Sequence, residues 1–156
     1  MKKWIAVAAV VALCFGLYLA DAIRAKEYEY ELVSQTNEVI VADGVSPTKF
    51  TVRLTRKGKP VSGHTISVVA TNGTLRSSRI VTDDNGEIVV TWYAFLYLND
   101  KLTPMDDVTF YFSDEDNSKV ITVPAKFSFT VSAEKPQDET KWEDWEDIRI
   151  DGEDKE

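Results

Sequence analysis

A histidine beside a serine is the feature of this chain that comes nearest to a catalytic motif. His64 is the only histidine among the 156 residues, and Ser62 stands two positions before it. A serine nucleophile needs a histidine to take its proton and an acid to orient that histidine. No acidic residue near His64 in the sequence is placed to orient it, although such groups can also meet in space alone. We therefore expect His64 to be a packed or solvated side chain and the protein to have no enzymatic activity.

A run of oxygen-bearing side chains at residues 114–118 is the nearest approach to a metal site. Oxygens at alternate positions suit Ca²⁺, but an EF-hand loop counted from Asp114 would need glycine at its sixth position and glutamate at its twelfth. This chain has Lys119 and Ala125 there. The single cysteine, Cys14, excludes a thiolate zinc site. We expect a solvated turn and neither a metal nor a cofactor, and calcium binding by this turn stays open.

The charge of the chain is concentrated at its C-terminal end. Residues 133–156 contain 11 Asp or Glu and 4 Lys or Arg, whereas residues 1–132 contain 15 and 14. A polyanionic tail on a nearly neutral body repels phosphate backbones, so we expect no nucleic-acid binding.

The same tail carries a doubled Trp-Glu-Asp unit. In a helix the tryptophans and the following isoleucine would line one side, although so little apolar area does not offset the entropy of ordering the segment in isolation. We expect the tail to fold on a protein partner with a basic and apolar groove. Docking on the chain's own sandwich and a plain solvated tail are the alternatives. The candidate contact residues are Trp142, Trp145, Ile148, Glu143, Asp144, Glu146 and Asp147.

The N-terminus has the pattern of a targeting segment. Lys2 and Lys3 precede an uncharged run at residues 4–20, which as a helix would span about 25 Å against roughly 30 Å of bilayer hydrocarbon. The triplet at residues 20–22 is an A-x-A sequence, at which a signal peptidase cuts. Residues 1–26 are therefore either a signal peptide or a signal-anchor transmembrane helix. The lysines orient the rest outward, in the cell membrane as a single-pass protein or secreted after cleavage near Ala22.

The hydrophobic pattern between residues 27 and 132 is that of strands. Tyr28, Tyr30 and Leu32 alternate with glutamates, which is typical of a half-buried strand. The run 87–95 is continuously apolar, which predicts a central strand covered on both faces. Short strands with turn residues between them predict an all-β sandwich. Further strands are predicted at residues 38–42, 49–55, 65–71, 79–82, 108–113 and 120–132.

An aromatic run extends the apolar strand at residues 87–95. Alternation directs Trp92 into the core and Tyr93, Phe95 and Tyr97 to the opposite face. If that face lies outside, the three rings form an exposed patch of the kind that marks an interface; otherwise residues 96–107 fold back over it. Protein contact is the expected use, because aromatic residues dominate binding hot spots, and stacking on sugar rings is the alternative.

Several turn motifs together resemble a known family, and they lie at residues 42–46, 50–54, 58–63, 71–75 and 82–86. Their order and spacing across residues 37–95 are similar to those of the group 1 bacterial immunoglobulin-like (Ig-like) domain, the repeat type of invasin and intimin. The resemblance implies a Greek-key sandwich of about seven strands, exposed outside a bacterial cell or on a phage particle and without catalytic residues. The matching segments are 42–46 (ADGVS), 50–54 (FTVRL), 58–63 (GKPVSG), 71–75 (TNGTL) and 82–86 (TDDNG).

We therefore predict three parts: the N-terminal segment 1–26, a single Ig-like β-sandwich at 27–132 and the acidic tail at 133–156. The predicted function is protein–protein contact by an exported, membrane-tethered protein, in adhesion, surface assembly or as a spacer. Two alternatives stay open. One is a phage-encoded or envelope structural component, and the other is a carbohydrate-binding module that uses the aromatic face.

Overall fold

The computed structural model describes residues 2–99, 107–119 and 122–136 of the chain. Within these residues a single helix precedes nine strands, of which seven are longer than two residues, in agreement with the predicted number. The elements are α1 (Lys2–Ala25), β1 (Tyr28–Gln35), β2 (Pro47–Arg56), β3 (Lys59–Pro60), β4 (Thr65–Ala70), β5 (Thr74–Leu75), β6 (Arg79–Val81), β7 (Glu87–Tyr93), β8 (Val108–Asp114) and β9 (Lys126–Val131).

The strands form two antiparallel sheets. The five-stranded sheet has the order β1-β2-β7-β5, with β3 paired to β2, and the four-stranded sheet has the order β6-β4-β8-β9. Strands that are distant in sequence pair directly, β2 with β7 and β4 with β8. The chain therefore passes between the two sheets, as in a Greek-key sandwich. The predicted all-β class is confirmed.

The core lies between the sheets and is built by strict alternation. In β2 the side chains of Phe50, Val52 and Leu54 are buried, while Thr51 and Arg53 between them are only partly covered. Successive side chains of a strand point to opposite faces, so one apolar face of each sheet suffices to form this core. The facing sheet contributes the Val and Phe side chains of β8, and the ring centroids of Phe50 and Phe110 lie 4.9 Å apart.

Trp92 occupies the centre of this core, as predicted. Its side chain is fully buried, and its indole ring meets Phe110 edge-on at a centroid distance of 5.3 Å. The indole Nε1–H donates a hydrogen bond of 2.9 Å to the carbonyl oxygen of Asn72. The polar atom of the largest core side chain is thereby satisfied, which removes the cost of burying it.

The prediction that residues 87–95 form a strand covered on both faces is wrong. Strand β7 ends at Tyr93, and burial alternates along it, with Val89 51% exposed. In a two-layer sandwich each sheet has a single inner face, so the apolar residues between the core positions lie on the solvent side. Their β-branched types suit a strand on either face, which is why the run looks continuous in the sequence.

Two further strand predictions differ from the structure. Residues 38–42 do not form a strand; Val41 makes an isolated parallel bridge to Glu134 instead. The chain there connects β1 to β2 of the same sheet, and it meets the segment after β9 at this one bridge only. The last strand begins at Lys126 rather than near residue 120.

The chain enters the sandwich at one end and leaves it at the other. At the proximal end, where α1 joins, Tyr28 pairs with Arg56. Strand β8 finishes at this end, because the turn after it reaches α1 through Lys119. Strand β9 starts there and runs to the opposite, distal end, where Val131 pairs with Val108.

Candidate functional site

Helix α1 presents an almost continuous apolar surface to its surroundings. Among the described residues it is the one helix long and apolar enough to cross a membrane, over Trp4–Ala25 (22 residues). At 1.5 Å per residue this segment is about 33 Å long, and its uncharged part is the run 4–20. The helix continues through the A-x-A triplet at residues 20–22 and ends within the predicted N-terminal segment 1–26.

The acidic residue of that triplet contacts the sandwich. Asp21 is 4% exposed, and its Oδ1 accepts a hydrogen bond of 3.4 Å from the backbone N–H of Lys119. The side chain of Asp21 therefore faces the turn after β8, while Leu19 and Ile23 nearby are exposed. Cleavage after Ala22 would remove the contact of Asp21 with the sandwich. The A-x-A pattern in the sequence does not reveal this contact.

A histidine–aspartate pair lies at the proximal end of the sandwich, where His64 is a partly buried, packed side chain. The Nδ1 atom of His64 lies 2.8 Å from Oδ2 of Asp114, a residue 50 positions later in the chain. Asp114 is 1% exposed, and the ring of Tyr28 lies 5.7 Å from the imidazole. Burial, together with the negative charge of Asp114, raises the pKa of Tyr30 nearby, so that its phenol stays neutral.

The pair does not extend into a catalytic relay with Ser62. The hydroxyl of Ser62 donates a hydrogen bond of 3.2 Å to Oδ1 of Asp84, while His64 is bonded to Asp114. A serine nucleophile would have to give its proton to the imidazole, and here the two side chains have different partners. The histidine–aspartate contact instead joins the strand entry at β4 to the end of β8.

The oxygens of residues 114–118 are used within the protein. Oδ1 of Asp114 accepts from the backbone N–H of Asp116, and Oδ2 of Asp116 accepts from the backbone N–H of Thr65 at 2.7 Å. Hydrogen bonding from Thr65 lowers the pKa of Asp116. Asn117 is bonded to the backbone at residues 123 and 125. Within the described parts of the chain, no three Asp, Glu, His or Cys side chains converge on a possible metal position.

The aromatic residues proposed as an exposed patch do not share a strand face. Tyr93 is the last residue of β7, and Phe95 packs against the core beyond the end of that strand. The backbone N–H of Tyr97 donates to the carbonyl oxygen of Ala42, and the Nζ of Lys135 lies 5.0 Å from the centre of its ring. All three rings are half-buried. Alternation fails here because the strand ends before Phe95.

The tail residues predicted to contact a partner lie outside the described residues. They are Trp142, Trp145, Ile148, Glu143, Asp144, Glu146 and Asp147.

A second exposed aromatic surface was not singled out from the sequence. Tyr111 on β8 is 51% exposed and pairs across the strands with Val69 of β4, which is 57% exposed. Both point away from the core of the four-stranded sheet. The signal was the alternation of β8, in which the buried residues Val108, Phe110 and Phe112 leave Tyr111 on the solvent face.

No protein-family model matches the sequence, and no curated protein matches it either. Among solved structures, the chain is similar to a C-terminal 282-residue fragment of intimin in complex with the intimin-binding domain of the translocated intimin receptor (Tir). The sequence identity is 24% and the TM-score 0.50, over 67% of this chain and 33% of that fragment. The D0-D1 domain of intimin is 23% identical, with a TM-score of 0.47, over 67% and 48% of the two chains. The chain thus spans about a third of the first fragment, and the similarity confirms the predicted Ig-like fold.

Proposed function

We propose that this protein is exported, is held in a membrane by α1 and acts through contacts of its Ig-like body and acidic tail with another protein. The observation that carries the proposal is α1 itself. Its apolar side chains stand exposed around most of the helix, and the helix joins β1 after only two residues. An apolar surface of this extent is unfavourable when it is exposed to water, and insertion into a bilayer removes it from water.

The body suits contact rather than catalysis. Its histidine, serine and acidic side chains at the proximal end are bonded to one another in separate pairs, as described above. The fragment of intimin with the same fold was solved in complex with the intimin-binding domain of Tir. This chain matches a third of that fragment, and the complex supports a protein contact as the function. We propose a role in adhesion, in surface assembly or as a spacer.

Export and orientation are tested by protease treatment of intact cells that express the full chain with a C-terminal tag. We expect protease to remove the residues beyond 26 and the remaining fragment to fractionate with membranes. Soluble protein that begins at Ile23 would indicate a cleaved signal peptide. A protected product in the cytoplasm would contradict the proposal. As a control, replacing Val11 and Leu13 by Arg should release the protein from membranes, because a charge at the centre of a spanning helix is costly.

Partner contact by the tail is tested by capture from a cell-envelope extract. Replacing both Trp142 and Trp145 by Ala should abolish capture, because large aromatic anchors set the lifetime of such complexes. Replacing the four acids at residues 143, 144, 146 and 147 by amides should weaken capture mainly at low salt, where exposed charges are not screened. If deletion of 133–156 leaves capture unchanged, Tyr93, Phe95 and Tyr97 become the better candidates.

The carbohydrate-binding alternative receives less support from the geometry than from the sequence. Stacking on a sugar needs an exposed aromatic plane, and Tyr93, Phe95 and Tyr97 are each half-buried. A glycan array probed with the full chain in detergent separates the two functions, since specific glycan binding would favour the alternative.

A further inference from the structure

The two outer faces of the sandwich differ in charge. On the five-stranded sheet, the strand face that points away from the core carries Glu29, Glu31 and Glu87. It also carries Lys49 and Arg53, and Arg53 is paired with Glu31 and Glu87. On the four-stranded sheet, the outward positions of the described strands hold no Asp or Glu. They hold Ser, Thr and Val together with Tyr111, Arg79 and Lys126. The strands of the first face thus present carboxylates together with cations, whereas the strands of the second present cations without carboxylates, which suits an acidic segment better.

An open groove runs along the second face between β8 and β9. Its lining includes two cross-strand pairs, Tyr111 with Ser128 and Ser113 with Lys126, so that a long and a short side chain alternate across the strands. The phenol ring supplies an apolar wall. Within the described part of the chain Lys126 forms no ion pair, whereas Arg79 on the same face is paired with Glu115. The groove thus presents the ring of Tyr111 and the positive charge of Lys126 to a ligand.

The chain itself contains a segment with matching chemistry. Residues 137–156 contain ten Asp or Glu and three Lys or Arg, and their apolar side chains are two Trp and two Ile. Such a segment gains from an apolar contact only where its acids are not repelled. The outer face of the four-stranded sheet meets this condition better than the outer face of the other sheet.

The groove is within reach of that segment. Pro136, the last described residue, follows Glu134, which pairs with Val41 beyond the distal end of β9. Five residues lie between Pro136 and Trp142 and eight between Pro136 and Trp145, enough for about 20 Å and 30 Å of extended chain. Ser128 lies eight residues before Pro136, at most about 26 Å of chain, a distance that the segment after Pro136 can cover. A short connection keeps the effective concentration of the tail near the millimolar range, which favours its own chain over a second copy.

We propose that residues 137–156 dock on the outer face of the four-stranded sheet of their own chain, with the tryptophans against Tyr111 and the acids around Lys126. This inference goes beyond the proposed partner contact, because it concerns the protein without a partner. A partner that uses the same tryptophans has to displace the tail from the groove.

Intrachain cross-linking of the full-length protein in detergent tests the docking. In a Cys14→Ser background, Ser128→Cys is combined with Thr140→Cys, and a short thiol-reactive cross-linker is added. The matched control combines Thr51→Cys, on the outer face of the other sheet, with Thr140→Cys. After correction for the labelling rate of each single cysteine, we expect the Ser128 pair to react about tenfold faster than the Thr51 pair. High salt should reduce that advantage.

Variants of the groove identify the contact. Tyr111→Ala combined with Lys126→Glu should remove the advantage of the Ser128 pair, and circular dichroism checks that the sandwich stays folded. Val89→Ala combined with Lys49→Glu also truncates an exposed side chain and reverses a lysine charge, but on the other sheet. It should leave the cross-linking rate of the Ser128 pair unaltered. Equal rates for the two cysteine pairs overturn the proposal. So do cross-links that form only between chains and increase with protein concentration, since the tail would then engage a second copy.

Discussion

At the scale of single residues, Trp92 is the side chain on which the core depends most. It is fully buried, it packs against Phe50 and Phe110, and its N–H is bonded to Asn72. Replacing Trp92 by Ala should lower the free energy of unfolding by about 3–5 kcal/mol, the cost of emptying a large buried site. Denaturant titration followed by circular dichroism measures the change.

The matched control for this prediction is Val89→Ala on the same strand. Val89 is 51% exposed and lies on the outer face of β7, so its replacement should change the stability by no more than about 0.5 kcal/mol. If Trp92→Ala were as mild as Val89→Ala, the assignment of the two strand faces would be wrong.

The carboxylate of Asp114 holds several groups together at the proximal end. It accepts from Asp116 and contacts His64 while being almost fully buried. Asp114→Ala leaves both groups without this acceptor, so we expect a loss of about 1–3 kcal/mol in the free energy of unfolding. Glu115→Ala, which removes the ion pair with Arg79 at the surface, should cost less than about 1 kcal/mol. Equal losses in the free energy of unfolding would show that the burial of Asp114 does not increase its contribution to stability.

Asp116 should contribute to the acid sensitivity of the fold. Hydrogen bonding from Thr65 lowers its pKa in the folded protein, so protonation favours unfolding. The stabilisation is present above the ordinary carboxyl value of about 3.9 and is lost as the pH falls through the lower folded value. Asp116→Asn keeps an acceptor for Thr65 but removes the titration. Its melting temperature should therefore fall less steeply than that of the wild type below about pH 4.

At the scale of elements, the turn between β4 and β5 requires glycine for two reasons. Gly73 has φ of 79°, and a Cβ built on it would lie 2.3 Å from Nε1 of Trp92. Gly58, in the turn between β2 and β3, has a similar φ of 76° but open space around it. Gly58→Ala should therefore cost about 1–2 kcal/mol from the backbone alone. Gly73→Ala should cost about 1–3 kcal/mol more, because the core indole has to move. Denaturant titration of both variants measures the difference.

The strands and their inner faces are the part of the fold that the sequence predicts best. Phe50, Val52 and Leu54 alternate with polar residues. Such alternation determines which side chains of the strand point to the core and which point to solvent. The same rule fails in β7, because Val89 is apolar but lies outside. Composition alone does not distinguish an apolar residue on the solvent face from one under a second layer.

The parts of the candidate site that the sequence did not predict all depend on contacts across the sheets. Asp114 meets His64 only because β4 and β8 are neighbours, and no local pattern records that pairing. Phe95 leaves the predicted face because the strand ends at Tyr93, a boundary set by the crossing chain at residues 41–43 and its bridge to Leu96. By contrast, the apolar segment of α1 was clear from the sequence, since it depends on composition over a single continuous run.

At the scale of the whole molecule, the parts follow one another along a single direction. Helix α1 and the histidine–aspartate pair lie at the proximal end, and the chain turns toward its acidic tail beyond the distal end of β9. The groove between β8 and β9 lies along the side of the body between these ends. A tail that leaves the distal end can therefore either return along this side or extend away from the helix, and a partner can shift the balance between the two.

The exit of the chain at the end opposite its entry also determines how the body responds to tension. A pull between α1 and the tail draws β1 toward the proximal end and β9 toward the distal end, along the strand directions. Because antiparallel hydrogen bonds lie perpendicular to the strands, the bonds of β1 with β2 and of β9 with β8 are loaded together rather than one after another. In a single-molecule force experiment, pulling the full chain by its two termini should need a larger force than pulling it by residues 26 and 57, which peels β1 from β2. The sandwich would then act as a shear-loaded link that transmits load between a membrane and whatever holds its far end.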